Sequence, residues 1–554
     1  MASKKSQQKR QRKYIFVVGG VMSGVGKGIA SSSVALLLKA RGLKVTALKI
    51  DPYINVDAGT MNPTEHGEVF VLKDGTETDQ DMGNYERFLE TSLTTKNYMT
   101  TGSVYLDVIK KERNLEYKGK NVEVVPHIPL EVIGRIKAAS ELADADVTIV
   151  EIGGTVGEYQ NILFLEAIRM MKTELNGNVA VILVSYLPVP GSIGEMKTKP
   201  TQYAARTLNS AGVFADIIIA RSPVGVDDKR KEKIAQFCNV KKENVISAPD
   251  VKSVYDVPIN FEKDGISRKL CDILHLDCKH EAELTAWKAF VRKTKNPKKE
   301  VKIAVVGKYF SSGDFVLSDV YISVLEAIKY SAYAAGAKPV ITYLSSVDFE
   351  KGTKKLADLK KYDGVLIPGG FGATGVEGKI KVVEYVRKNK IPYFGICYGM
   401  QIAVIEYARN VLGLTGAHTT EIDTKSLAPV IDVMPDQKEK IAQSNLGGTM
   451  RLGEYEAEIE KGTHAAKAYK ASRIVERHRH RYEVHPEYIA QLRAGGLVFS
   501  GHSKDDRLME IVELPSKVHP FFVGVQFHPE FLARPLRPHP VFSAFIQAAL
   551  KEKK

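Results

Sequence analysis

Cys397 stands in the run Ile391-Pro-Tyr-Phe-Gly-Ile-Cys-Tyr-Gly-Met-Gln401, where an apolar strand meets a helix at Gly395-x-Cys397-x-Gly399. A nucleophile between two glycines is the strained strand-to-helix elbow of α/β hydrolytic sites: the glycines let the chain turn sharply, and the side chain is presented at the helix N-terminus. There the helix dipole and a nearby imidazole favour the thiolate. Gln526-Phe-His-Pro-Glu530 supplies that imidazole. His528 and Glu530 lie two apart, so on an extended segment they face the same way, and the carboxylate orients the ring that activates the thiol. A lone cysteine is more often a structural one. The elbow, the upstream Pro368-Gly-Gly-Phe-Gly372 loop and the His-x-Glu pair favour a nucleophile here.

A second centre of chemistry lies near the N-terminus, in Gly19-Gly-Val-Met-Ser-Gly-Val-Gly-Lys-Gly28. It departs from the usual P-loop in two ways. Five residues separate Gly20 from Gly26, and Gly28 stands where a Ser or Thr would bind Mg²⁺. The mechanical parts survive: a strand feeds a glycine loop whose N–H groups cradle phosphate at a helix N-terminus, with Lys27 placed to neutralise phosphate oxygens. A metal must then be held by carboxylates from elsewhere. Glu151 ends a buried strand just before Gly153-Gly154, where parallel sheets bind ligands. Asp81, after Gly75-x-Glu-Thr-Asp79, is a second Mg²⁺ ligand, while Asp79 reads equally well as a ligand or as a loop cap.

The elements that must position these groups are legible as continuous apolar runs. Tyr14–Val18, Lys44–Ile50, Asp146–Glu151, Val179–Val184 and Ala215–Ala220 read as strands, and Ile29–Arg41 as a helix. Such runs, separated by helical stretches, indicate a parallel sheet covered on both faces. At 554 residues the chain is too long for one core. We expect an α/β protein with two doubly wound parallel-sheet domains: a basic, disordered tail at 1–13, a P-loop-like domain at 14–278, a linker at 279–300, and a second α/β domain at 301–554, carrying the cysteine elbow, that opens with Val301-Lys-Ile-Ala-Val-Val-Gly307.

Hydrophobic content of 44% and charged content of 26% are those of a globular protein. No apolar run reaches the roughly 18 residues needed to span a bilayer, and the N-terminus has no apolar leader region, so a cytoplasmic protein is expected. Four cysteines (Cys238, Cys271, Cys278, Cys397) form neither a metal-ligand spacing nor a disulfide framework. Of the net charge of +14, six positive charges come from Lys4, Lys5, Lys9, Arg10, Arg12 and Lys13, a solvated arm rather than a binding one. With no nucleic-acid-binding pattern, the remaining basic excess suits small polyanionic substrates.

Gly395-Ile-Cys-x-Gly-Met-Gln401 with Gln526-Phe-His-Pro-Glu530 resembles a class I glutamine amidotransferase domain. The resemblance implies that Cys397 attacks the glutamine side-chain amide, that His528 moves the proton with Glu530 behind it, and that backbone N–H groups near Gly370 and Tyr398 stabilise the oxyanion. The rest of the chain is as specific. The Gly19–Gly28 loop, Lys49-Ile-Asp-Pro-Tyr-Ile-Asn55, Gly59-Thr-Met-Asn-Pro-x-Glu-His-Gly-Glu-Val-Phe70, Glu151-Ile-Gly-Gly-Thr-Val-Gly157 and Lys197-Thr-Lys-Pro-Thr-Gln202 resemble the CTP synthase family. Phe237-Cys-Asn-Val240, Gly447-Gly-Thr-Met-Arg-Leu-Gly453 and Arg477-His-Arg-His-Arg-Tyr-Glu483 do so too. Membership implies ATP- and glutamine-dependent amination of UTP through a 4-phosphorylated intermediate, in a homotetramer able to form filaments. Lys27 and Lys49 then stabilise the transferring phosphoryl group, with Mg²⁺ on Asp81 and Glu151. The run from Gly24 through Val25, Gly26, Lys27 and Gly28 to Ile29 holds ATP, with Asp81 and with Pro249, Asp250 and Val251. UTP, or CTP as feedback inhibitor, is held by Ser23, by Glu158, Tyr159 and Gln160, by Lys197, Thr198, Lys199, Pro200, Thr201 and Gln202, and by Lys233. L-glutamine is held by Gly370, by Tyr398, Gly399, Met400 and Gln401, and by Glu421 and Arg481.

Gly24 and Tyr398 replace the family's usual Ser and Leu, Gln160 an expected Glu, and Thr374 an expected Arg; the last two bear on CTP inhibition and GTP activation. Two other readings share parts of this pattern: another P-loop amide ligase with a fused glutaminase, and a catalytically silent, nucleotide-gated assembly protein. Neither explains Lys197–Gln202 together with an intact Cys397, His528, Glu530, Lys27 and Glu151. An Arg grips phosphate bidentately where Thr offers one neutral hydrogen bond. GTP should therefore stimulate glutamine-dependent synthesis weakly, and Thr374→Arg should increase the stimulation, unless Lys379 or Arg409 supplies the charge. A GTP titration of both proteins checks this; strong activation of the unaltered protein, unchanged by the substitution, contradicts it.

Overall fold

Each apolar run expected to be a strand is one. The computed structural model describes residues 11–551 apart from 192–193, 279, 309–310, 313–314, 317, 435–436, 438–439 and 441–446. The expected tail residues up to Arg10 and the last three residues of the chain lie outside the described residues. The chain forms two compact units, one of residues up to Asp57 with Asn84–Lys288, the other of Ala58–Gly83 with Ala289–Lys554.

In the first unit, β1 (Lys13–Gly19), β2 (Val45–Asp51), β3 (Tyr98–Thr100), β4 (Val147–Ile152), β5 (Val179–Tyr186), β6 (Ile217–Ser222) and β7 (Val245–Pro249) form one sheet in the order β3-β2-β4-β1-β5-β6-β7. Every neighbouring pair is parallel. Ile15, Phe16, Val150, Val181 and Ile218 are fully buried or nearly so, as a sheet covered on both faces requires. Helix α1 (Lys27–Ala40) starts at Gly26, whose φ of +92° lies in the left-handed region that glycine enters without strain. This brings the carboxyl ends of β1, β2 and β4 together around the glycine loop.

In the second unit, β8 (Lys299–Gly307), β9 (Ala337–Ser345), β10 (Gly364–Ile367), β11 (Tyr393–Ile396), β12 (Arg451–Ile459), β13 (Arg473–His480), β14 (Val498–His502), β15 (Met509–Glu513) and β16 (Phe522–Val525) form a nine-stranded sheet, ordered β9-β8-β10-β11-β16-β15-β14-β12-β13. The first five in that order are parallel, as expected. The sheet then continues antiparallel, so the second domain is mixed rather than wholly parallel.

Four further sequence expectations about the fold need correction. Lys13 belongs to β1 rather than to a disordered tail, and its ammonium bonds the Asn178 side chain. The expected linker contains a helix, Thr285–Lys295, because Leu284, Trp287 and Val291 recur at helical spacing among the charges and are buried. Trp287 also donates its N–H to the Tyr255 carbonyl at 2.9 Å. Cys271 and Cys278 form a disulfide, since the chain reverses after the helix Ile266–Ile273 and brings their Cα atoms to 6.2 Å.

The largest correction is that 14–278 is interrupted. Residues 58–83 group with the second unit. Arg477 donates to the Val71 carbonyl at 3.0 Å, Arg479 to the Glu77 carboxylate at 2.8 Å, and the backbone N–H of Ser323 to Glu68 at 3.2 Å. Phe70, fully buried, meets Phe531 edge-on at 5.0 Å and lies 5.7 Å beneath the Arg477 guanidinium. Phe70→Ala should therefore destabilise the second unit by about 3–5 kcal/mol. Denaturant unfolding followed in the second unit tests this; an unchanged midpoint would show that the segment contributes nothing to that unit.

Candidate active site

The turn between β11 and helix α2 (Tyr398–Asn410) leaves no room for side chains on its glycines. A Cβ on Gly399 would lie 2.3 Å from the Ile367 carbonyl oxygen, and one on Gly395 would lie 2.7 Å from the Gly399 carbonyl carbon. Between them Cys397 takes φ +50°, a left-handed conformation costly for any residue with a side chain. Its N–H donates to the Val525 carbonyl at 2.6 Å, tying the elbow to β16.

Just beyond β16 the chain delivers Gln526, His528 and Glu530. His528 precedes a short 3₁₀ turn, Pro529–Leu532, so the expected extended segment is absent, yet the pairing it was meant to explain is present: His528 Nδ1 lies 2.7 Å from Glu530 Oε1. The ring stacks on Phe531 at 5.2 Å, and its backbone N–H donates to the Arg477 carbonyl at 2.7 Å. Burial opposes charge on this imidazole, but the Glu530 carboxylate and the neighbouring Cys397 sulfur outweigh it and raise its pKa to about 10. The resting pair is accordingly an imidazolium beside the sulfur. His478 and His480, buried on β13 and 2.9 Å apart, have pKa values far below the ordinary value, from burial and then the Arg451 charge, and stay neutral.

One pocket gathers Cys397, His528, Glu530, Gly369, Gly370 and Phe371 with Arg479, Phe531, Glu68 and Val69. Glu68 and Val69 carried no local signal for this site, because only the packing of residues 58–83 brings them there. The loop bearing Gly370 is held from behind: Gly372 donates to Glu421 at 2.6 Å, and the Tyr398 hydroxyl donates to the Gly372 carbonyl at 3.2 Å. Gly399, Met400 and Gln401 continue the first turn of α2, and Gln401 Nε2 donates to the Tyr482 carbonyl at 2.9 Å. Arg481, expected to help hold glutamine, donates to Gln437 at 2.7 Å and Thr449 at 3.0 Å. Thr374 is exposed. Of the cations that could stand in for an arginine there, Lys379 is buried over the Tyr398 ring at 4.7 Å, and Arg409 is paired with Glu377 at 2.9 Å.

In the first unit Lys27 Nζ donates to the Gly154 carbonyl at 2.7 Å. Lys49 Nζ lies 2.9 Å from Glu151 and 3.7 Å from Asp51, and Glu151 also accepts from the Tyr85 hydroxyl. The register pairs Lys49 with Glu151 on β2 and β4, so these groups meet at the strand ends. Buried ion pairs are costly to desolvate and strongly destabilising when one partner is lost, which makes this cluster a functional candidate. Asp51, on the same strand as Lys49, was missed as a site residue; the Lys-x-Asp spacing, which puts both on one face, was the available signal. Asp51 and Glu151 are hard oxygen donors suited to Mg²⁺. Among the described residues, no group of three or more His, Cys, Asp or Glu gathers as a metal set. Asp79 caps the helix Asp81–Leu89 by accepting from the Asp81 N–H at 3.1 Å, and both belong to the segment grouped with the second unit.

A cavity of about 230 Å³ joins Gly26 and Ile29 to Pro249, Asp250 and Val251, as the resemblance implied, and adds Arg221, Val254 and Phe261 to its wall. Gly24 and Val25 precede it in the loop, and Gly28 is buried at the start of α1. The pyrimidine set divides. Thr198, Thr201 and Gln202 are buried, with Thr201 bonded to Ser185 at 2.8 Å and Gln202 to Thr198 at 3.1 Å, so they brace the helix Lys199–Ser210 that Pro200 opens. Lys199, Lys233, Ser23 and Tyr159 are exposed, and Lys197 pairs with Glu195 at 2.6 Å. Gln160 donates to Glu158 at 2.8 Å, a bond that the expected glutamate could not make as a carboxylate.

Residues 13–276 match the family model described as CTP synthase N-terminus, and residues 316–548 match glutamine amidotransferase class-I. A CTP synthase of Thermococcus gammatolerans is 50% identical over 543 residues, covering 98% of this chain and 99% of its own. One of Halalkalibacterium halodurans is 48% identical over 542 residues, covering 98% and 99%. A solved structure of the Trypanosoma brucei CTPS glutaminase domain with bound acivicin covers 45% of this chain and 94% of its own, at 38% identity and a TM-score of 0.41. With an elbow cysteine and its histidine in one unit, a lysine-bearing phosphate loop in the other, and relatives matching almost end to end, this chain belongs to the CTP synthase family.

Proposed function

We propose that the protein converts UTP to CTP, using ATP to activate the uracil and glutamine to supply nitrogen. The observation that carries the glutaminase half is Cys397 at φ +50° in a pocket with an imidazole held at 2.7 Å by Glu530. Sγ attacks the glutamine amide carbon, and the bond to nitrogen breaks as His528 gives its proton to the departing ammonia. Water, deprotonated by the now neutral ring, cleaves the thioester to glutamate. Backbone N–H groups at Gly370 and Tyr398 hold the oxyanion.

In the first unit ATP phosphorylates the uracil O4, and ammonia then displaces phosphate from C4. Lys27 and Lys49 stabilise the charge on the moving phosphoryl group, and Pro249 to Val251 seat the adenine side of ATP. Glu151 and Asp51 would hold Mg²⁺, which neutralises phosphate charge when bound. Lys197, Lys199 and Lys233 meet the pyrimidine triphosphate. Cytoplasmic location, a homotetramer, filament formation, GTP activation and CTP feedback through Glu158, Tyr159 and Gln160 belong to the same proposal. Among the described residues no helix is long and apolar enough to cross a membrane.

Separate sites make separable defects. Cys397→Ala should abolish glutamine-dependent CTP formation and leave the ammonia-dependent reaction; loss of both in a folded variant contradicts the two-site reading. Lys27→Ala should slow synthesis with either nitrogen source by two to three orders of magnitude, about 3–4 kcal/mol in the transition state. Near-normal rates would place phosphoryl transfer elsewhere.

Glu530→Gln removes the carboxylate that raises the His528 pKa to about 10, so the ring should lose its proton at lower pH. The alkaline limb of the glutaminase pH profile should move down with it. A pH–rate profile that keeps its alkaline limb would show that Glu530 does not set the charge of His528.

A further inference from the structure

The QFHPE segment carries one side chain toward the sulfur that the proton-transfer scheme does not use. Gln526 is fully buried, and its Nε2 lies 3.6 Å from Cys397 Sγ. An amide can be placed either way round, so what matters is which end faces the sulfur. The Tyr482 carbonyl decides it. A carbonyl oxygen only accepts, so the NH₂ of Gln401, 2.9 Å away, must face it. The same Gln401 NH₂ lies 3.3 Å from Gln526 Oε1, which turns the NH₂ of Gln526 onto Sγ. On another side of the sulfur, 3.9 Å away, lies the Arg479 carbonyl, an acceptor that suits the S–H form.

We propose that Gln526 is a catalytic residue of the glutaminase, donating an N–H to the Cys397 thiolate, and that Gln401 is the positioning residue that keeps this amide donor-first. A donor to an ionised sulfur is a charge-assisted bond and favours the thiolate over the thiol. The donor stays on the sulfur as the charge moves from thiolate to oxyanion and returns when the thioester is cleaved. This role rests on Cys397 being the nucleophile. The titratable and charged groups facing the same pocket are His528, Glu530, Glu68, Arg479 and Tyr321, and changing Gln526 leaves all five in place.

The test is the pH dependence of Cys397 alkylation by iodoacetamide in the full-length protein, read by peptide mapping so that Cys238 is scored separately. Gln526→Met keeps the bulk and deletes the N–H. The alkylation midpoint should rise by about one pH unit, so that the rate on the acidic side of the midpoint falls roughly tenfold. Gln401→Met, which frees the Gln526 amide to turn, should raise it by less. Circular dichroism and the unfolding midpoint establish folding; if Gln526→Met does not fold, Gln401→Met carries the test alone. An unchanged midpoint in a folded variant overturns the proposal. A lowered one also overturns it, because the amide oxygen then faced the sulfur. The unaltered protein, once alkylated at Cys397, must lose glutamine hydrolysis; if it does not, the nucleophile assignment falls, whatever the midpoints show.

Discussion

The hydrogen bond from the Cys397 N–H to the Val525 carbonyl joins the two halves of the glutaminase chemistry. It fixes the elbow against β16, and the residues immediately after β16 are those that share its pocket or lie against the sulfur. The bond can form only because Gly395 and Gly399 let the backbone pass within contact distance of Ile367 and of itself. The strained φ of Cys397 is sustained by that packing, which is the condition under which such strain persists. The sulfur, the imidazole and the Gln526 amide thus take their places from one junction of parallel strands.

The first unit solves a different electrostatic problem. Lys49, Glu151 and Asp51 are nearly excluded from water at the ends of adjacent strands. In a low-dielectric setting each of these groups needs the others as compensating partners, and replacing such a set by apolar residues often costs no stability. Their placement in the crevice of a parallel sheet, where ligands bind, makes function the better account of their cost. Lys27 belongs to the same arrangement through Gly154, which follows β4.

Residues 58–83 show how far a domain can differ from a stretch of sequence. Their hydrogen bonds, ring contacts and ion pair with Arg477, Arg479, Ser323 and Phe531 place them in the second unit, although they lie within the chain of the first. Through Phe70 and Phe531 the segment supports the face on which the His528 ring stacks. Glu68 reaches the catalytic pocket by the same route.

Local chemistry was readable from the residues alone. The glycine elbow, the phosphate loop and the continuous apolar strands depend on neighbours in the chain, so type and spacing suffice to recognise Cys397, Lys27, Glu151 and the parallel sheets. The pairing of His528 with Glu530 was also legible, although its stated reason, an extended segment, was wrong: a 3₁₀ turn makes the same contact. The helix within the expected linker was hidden because its apolar positions are diluted by charge, and the Cys271–Cys278 bond because a chain reversal has to bring the two residues together. Only the tertiary structure could bring Glu68 to the pocket, turn Arg481 toward Gln437 and Thr449, or orient the Gln526 amide through Gln401 and the Tyr482 carbonyl. These contacts join residues far apart in the chain, and no local propensity or period encodes them; packing decides which distant groups meet and which way a symmetric-looking amide must point.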